Sequence, residues 1–162
     1  MTTKLVPAAA AVGLLYAARR YYRNWGTTKS ECQMQLPGDD LVKRPATQTT
    51  EGITVEAPAE TVWQQLLERH QPAMTVERKI DDDALVLLGE PPDFPWRTVM
   101  SFHVLPRLSD RCRLLVRTRI ELRHPGQVIA VALAEPAMAM MSRSTLLGIK
   151  HRAEAVEQFT PQ

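Results

Sequence analysis

The sequence has only two cysteines, Cys32 and Cys112. That is too few for a disulfide framework, and their separation fits no zinc-ligand spacing. A strong charge of either sign is also missing. Twenty Lys and Arg against 18 Asp and Glu give +2 over 162 residues, too little to imply nucleic acid as a partner. A run that crosses a bilayer comfortably is missing too. The apolar stretch Leu5 to Ala18 has 14 residues, about 21 Å as a helix, whereas a bilayer core of about 30 Å wants about 20 residues. There is no P-loop, dinucleotide fingerprint, nucleophile elbow or zinc helix. No cofactor and no metal are therefore expected, and no catalytic residue stands out.

What is present is an ordinary globular composition, 44% hydrophobic and 23% charged, which fits one domain. Its charge is uneven. Residues 1–24 hold Lys4, Arg19, Arg20 and Arg23 and no acid, and the remaining 138 residues hold 16 basic and 18 acidic groups. Three readings of this basic, apolar start stay open. A signal peptide is disfavoured by Arg19 and Arg20 directly after the apolar run. A membrane anchor, spanning or lying in the interface, suits Lys4 and the arginines, with Tyr16, Tyr21, Tyr22 and Trp25 at the boundary. The third reading is a helix packed on the domain or simply frayed. An anchor would place the domain on the cytoplasmic side of the membrane; without one, the expectation is cytoplasmic.

The chain divides into an N-terminal apolar helix (1–25), a connector (26–46) punctuated by Gly26, Pro37, Gly38 and Pro45, and a folded domain (47–160). Thr49 to Glu56 alternates with Ile53 and Val55 on one face, a strand signal. Pro58 and Glu60 favour a helix start, and Val62, Trp63, Leu66 and Leu67 follow at helical spacing. Met74 to Ile80 puts Met74, Val76 and Ile80, and Arg78 with them, on the inward side of a second strand. Asp81, Asp82 and Asp83 form a solvated turn before the short run Ala84 to Leu88. Trp96 to Leu105 alternates, with Trp96, Met100, Phe102 and Val104 inward and Arg97, Ser101 and His103 on the polar face. Cys112 to Leu122 alternates more strictly, with Cys112, Leu114, Val116, Thr118, Ile120 and Leu122 opposite Arg113, Arg117, Arg119 and Glu121. Such alternation belongs to a half-solvated antiparallel sheet. Val128 to Ala134 suits helix or strand, and from Pro136 onward Met138, Met141, Thr145, Ile149, Ala153 and Val156 recur at helical intervals. Five strands and a long C-terminal helix predict an α+β domain, a helix laid across a curved antiparallel sheet.

Several stretches together resemble a known superfamily: WGTTKSE (Trp25 to Glu31), LPGDDLV (Leu36 to Val42), TQTTEGITVEAPAETVWQQL (Thr47 to Leu66), RCRLLVRTR (Arg111 to Arg119) and EPAMAMMSRSTLLGIKHRAE (Glu135 to Glu154). In this order they resemble the actinobacterial-type branch of the START-like, or SRPBCC, superfamily. That group includes polyketide cyclases, aromatase-like proteins and lipid-transfer domains. The resemblance implies a helix-grip fold with an apolar cavity between sheet and helix. Relatives usually carry a long insert after the helix matching VWQQL. Here the strand at Met74 follows almost at once, so the chain reads as a shortened member.

The histidines His70, His103, His124 and His151 are scattered and read as surface or loop residues. Cys112 reads as a small buried hydrophobe and Cys32 as a thiol in the connector. The row Arg113, Arg117 and Arg119 reads as a solvated face, or as a patch for anionic lipid headgroups. Met138, Met140 and Met141 suit an adaptable apolar surface. The residues expected to line a ligand pocket are Trp96, Met100, Phe102, Leu114, Val116, Thr118, Ile120, Met138, Met141 and Thr145. These readings favour a non-enzymatic module that binds a hydrophobic small molecule or lipid, membrane-associated through its N-terminus. The alternatives are a polyketide cyclase- or dehydrase-like enzyme, which would need ionisable groups inside the grip, and a structural domain without a cavity.

Overall fold

The computed structural model describes residues 10, 13, 14, 16, 17, 19, 23–69 and 73–159. His70 and most of the N-terminal segment, including Lys4, Arg20, Tyr21 and Tyr22, lie outside the described residues, as do residues 160–162. A short helix α1 (Lys29–Gln33) precedes strand β1 (Thr47–Val55) and helix α2 (Ala59–Leu67). Strands β2 (Thr75–Ile80), β3 (Ala84–Gly89), β4 (Arg97–Leu108) and β5 (Arg111–Glu121) follow, then helix α3 (Gln127–Phe159). The five strands form one antiparallel sheet in the order β1-β5-β4-β3-β2.

The inward face of the sheet carries the alternating apolar set. Val55, Leu85, Leu87, Phe102, Val104, Cys112, Leu114 and Val116 pack against Trp63 and Leu66 of α2 and Leu146, Ile149 and Ala153 of α3. The α2 side chains thus plug the grip at the C-terminal half of α3. Cys112 is buried as expected, and burial pushes its thiol up to about 11. Val128 to Ala134 is helix, and α3 runs unbroken for 33 residues. Pro136 lies inside it and cannot donate to the carbonyl one turn back.

Residues 26–46, read from the sequence as a connector, form a strap across the outward face of the sheet. Helix α1 begins with a capping box: the Glu31 amide donates to Thr28 Oγ1 at 3.2 Å, and the Thr28 amide donates to Glu31 Oε2 at 2.8 Å. A helix of five residues is too short to show a period, so only this T-x-x-E signal could have revealed it.

The arginine row of β5 is neither solvated nor a headgroup patch; the strap covers it. Arg117 is 1% exposed. Its Nε donates to Thr50 Oγ1 (3.1 Å), Nη1 to Met34 O (2.8 Å) and Asp39 Oδ2 (2.7 Å), and Nη2 to Glu31 O (2.8 Å) and Cys32 O (3.1 Å). All the donors of a guanidinium are used. Arg119 holds Asp39 O and Val42 O, and Arg113 grips the Glu31 carboxylate and the Gly26 carbonyl. Burial pushes Glu31 up, but the hydrogen bonds from Arg113 and Thr28 outweigh it, and its net shift is downward.

Two further expectations change for the same reason. His103, read as a surface residue, lies under the strap at 1% exposure. Burial, reinforced by Arg117 and opposed by Asp39, pushes it down to about 4. Arg78, read as inward, points outward and pairs with Asp40 at 2.9 and 3.1 Å. A register shift between Val76 and Arg78 reverses the alternation there.

The strap also shields β1, an edge strand of the sheet. Trp25 O accepts from the Gly52 amide at 3.0 Å, and Thr27 Oγ1 donates to Thr50 O at 3.0 Å. Gly26 makes this possible: its φ is +69°, and a Cβ there would overlap the Gly52 carbonyl oxygen.

Candidate functional site

The strand register sorts the inward face into rows. Ile120 pairs with Thr47 on one side and Thr98 on the other; Thr118 pairs with Thr49 and Met100; Val116 pairs with Glu51 and Phe102. Ahead of the apolar plug, then, the grip carries a band of hydroxyls and one carboxylate. α3 answers with Glu135, Ser142 and Thr145, all buried.

Glu51 is the group that stands out. It is 1% exposed, and among the described residues neither carboxylate oxygen makes a well-formed hydrogen bond, although Ser142 lies beside it. Arg143 Nε stands 3.7 Å from Oε1. Burial pushes the carboxyl up to about 7, against the pull of Arg143 and Ser142. The Arg143 guanidinium in turn lies over the Trp25 ring, 5.1 Å from its centroid. Arg143 thus stands beside both the Glu51 carboxyl and the Trp25 ring.

Glu135 is engaged differently. It accepts from Thr47 Oγ1 at 2.6 Å, and Arg19 Nε and Arg23 Nη2 reach it at 2.7 and 3.2 Å. Its contact on β1 is four residues from Glu51, about 13 Å along a strand. The two carboxylates do not converge. Glu135 is ion-paired with Arg19 and Arg23 and anchors the helical residues around Arg19, whereas Glu51 is a buried carboxyl raised toward neutrality.

The expected pocket residues divide into three groups. Phe102, Leu114 and Val116 lie in the main core, with Met100 half-buried against it. Trp96 and Ile120 form a second cluster with Val131, and Met138 packs on it. Thr118 and Thr145 are buried in the polar band, and Thr145 Oγ1 donates to Met141 O at 2.9 Å. Met141 itself is 71% exposed and faces away from the grip. Sequence reading missed Glu51, although its place two residues before Ile53 put it in the inward phase of β1. It also missed Glu135, the lone charge in an apolar stretch. A crevice of about 330 Å³ lies elsewhere, lined by Glu56, Glu154, Glu157 and Gln158 near the end of α3. Three of its four lining residues are carboxylates.

No family model and no curated protein matches the sequence. Solved structures do. The di-domain ARO/CYC BexL from the BE-7585A biosynthetic pathway matches at 17% identity and a TM-score of 0.53, over 69% of this chain and 48% of that one. This chain therefore spans about half the length of BexL. The Zhui aromatase/cyclase from Streptomyces sp. R1128 matches at 13% identity and a TM-score of 0.44, over 67% and 93%. Norcoclaurine synthase from Thalictrum flavum matches at 16% identity and a TM-score of 0.40, over 68% and 96%.

The expectation of a non-enzymatic module is corrected here. BexL, the match with a TM-score above 0.5, is named as a di-domain ARO/CYC from a biosynthetic pathway. The premise of that expectation, an inward face with little beyond Thr118 and Arg78, also fails: Glu51 and Glu135 face inward and Arg78 faces out. With its curved antiparallel sheet closed on a long C-terminal helix, the chain has a helix-grip α+β fold, shared with BexL.

Proposed function

We propose that this protein is an enzyme of the cyclase or dehydrase type, acting on a hydrophobic, polyketide-like small molecule, with Glu51 as its acid–base group. The observation that carries this reading is the buried Glu51 carboxyl, raised to about 7 with Arg143 beside it. A carboxylate near neutrality can remove a proton from a carbon between two carbonyls and return it later. The carbanion attacks a second carbonyl of the same chain, a carbon–carbon bond forms, and the new alkoxide takes the proton back from Glu51. Loss of water from that alcohol completes the step. Arg143 stabilises the oxygen on which negative charge gathers. The apolar rows beside the band, from Met100 to Val116, are packed in the core and would have to part to face an apolar substrate. The ordered motifs and the short link from Leu66 to Met74 support placement in a shortened, actinobacterial-type branch.

The test is turnover of a linear poly-β-keto thioester by the full chain, followed by aromatic absorbance and by loss of water in mass spectrometry. Wild-type protein should form cyclised product, and Glu51→Gln should lower the rate at least a hundredfold. Equal rates for the two proteins, or no product and no binding, would reject the proposal.

A further inference from the structure

The N-terminal half of α3 is apolar on every side. Val128 to Ser142 reads VIAVALAEPAMAMMS and contains one charge, Glu135. That charge is buried and clamped by Arg19 and Arg23. A helix apolar all round is ordinarily covered all round. Here only the inward side is covered, where Val131 meets Trp96 and Ile120. The outward side is open: Ile129 is 70%, Leu133 77% and Met140 67% exposed. Their spacing of four and seven puts them on one stripe.

The clamp also holds the helical residues around Arg19 beside this half of α3. There Leu14 and Tyr16 are 72% and 68% exposed. Basic charge borders this face. Residues 1–24 hold four basic residues and no acid; ahead of α3 Arg123 is exposed, and Glu121 pairs with Arg97. Among the described residues no helix is long and apolar enough to cross a membrane. The apolar half of α3 is about 22 Å long.

We propose that this face docks on an anionic lipid surface, with the outward stripe of α3 and the helical segment around Leu14 and Tyr16 lying in the boundary between headgroups and acyl chains. A helix face of this kind lies in the interface plane, held by apolar burial and by attraction between basic residues and anionic lipid. The clamp makes that possible. Glu135 is neutralised inside the protein, so docking brings no unpaired carboxylate to the lipid boundary. A second copy of the chain fits less well. An isologous contact would bring the same basic borders together, whereas anionic headgroups neutralise them. The proposal is independent of the catalytic role of Glu51.

The test is cosedimentation of the full chain with vesicles of equimolar phosphatidylcholine and phosphatidylglycerol. Wild-type protein should sediment with them. The triple variant Ile129→Gln, Leu133→Gln, Met140→Gln should partition at least tenfold more weakly while unfolding at the wild-type temperature, because all three positions are exposed. Should the triple variant fold poorly, Leu133→Gln alone carries the test with a smaller loss. Wild-type protein left in the supernatant would overturn the proposal, and so would a well-folded variant that sediments like wild type. Equal binding to phosphatidylcholine alone would remove the anionic requirement and overturn it as stated. A concentration-dependent dimer that the triple variant abolishes, without vesicle binding, would assign the face to a second copy instead.

Discussion

Glu51 sets a conflict between stability and chemistry at one residue. Its folded carboxyl is raised from 4.5 to about 7 by burial, so above neutral pH the folded chain holds a desolvated charge that the unfolded chain keeps in water. At 1.36 kcal/mol per pH unit the penalty is about 3 kcal/mol. Glu51→Gln keeps the shape and removes the charge. It should therefore raise the unfolding free energy at pH 8 by up to about 3 kcal/mol, measured by urea melts, while lowering turnover. In wild type, kcat/KM should rise with pH through about 7, as the base form of Glu51 appears. A carboxyl that served structure alone would behave in the opposite way, and the variant would be less stable. No pattern in the sequence announces this. Period-two alternation marks Glu51 as inward, but its protonation depends on burial and on Arg143 and Ser142, which come from a distant part of the chain.

Among the elements, the strap is where sequence and structure part. Strands β1, β4 and β5 and the C-terminal part of α3 were legible because each alternates or repeats over many residues. The strap has no period. Its order comes from outside, from guanidinium groups that bond its carbonyls. For the same reason the arginine row could not be read correctly. Alternation tells which residues share a face, not whether a later-docking segment covers it. The bulge in β2 is a similar case: one extra residue turned Arg78 outward, and nothing in TVERKI marks it. Arg117→Met tests the strap. It leaves the carbonyls of Glu31, Cys32 and Met34, and the Asp39 carboxylate, without their shared donor. The expected loss is about 3–5 kcal/mol, the range for breaking a buried ion pair. Hydrogen exchange should rise first across residues 26–46 and at the Gly52 amide, while the amides of β4 stay protected. Uniform loss of protection would show that the strap and sheet unfold as one unit.

For the whole molecule, the pH dependence of stability joins the two faces of the sheet. Under the strap, His103 is lowered from 6.5 to about 4. The unfolded chain binds its proton below about 6.5 and the folded chain does not. This group's contribution is full above 6.5 and is lost as pH falls toward 4. Inside the grip, Glu51 is raised from 4.5 to about 7. There the folded chain keeps a proton that the unfolded chain releases, so stability falls as pH rises from 4.5 to 7. The two slopes oppose each other over nearly the same window, and each amounts to about 3 kcal/mol. Wild-type unfolding free energy should thus be nearly flat between about pH 5 and pH 7, and each replacement should expose the other slope. Glu51→Gln should leave a chain whose stability climbs with pH, and His103→Leu one whose stability falls. Glu31, Asp40 and Glu154 all shift downward, so their contributions fade only at lower pH and leave this window to the two groups. Urea melts across the window, on wild type and both variants, read the slopes directly. Parallel curves for all three proteins would show that neither buried group titrates with folding, and would remove the acid–base role of Glu51 along with the burial that supports it.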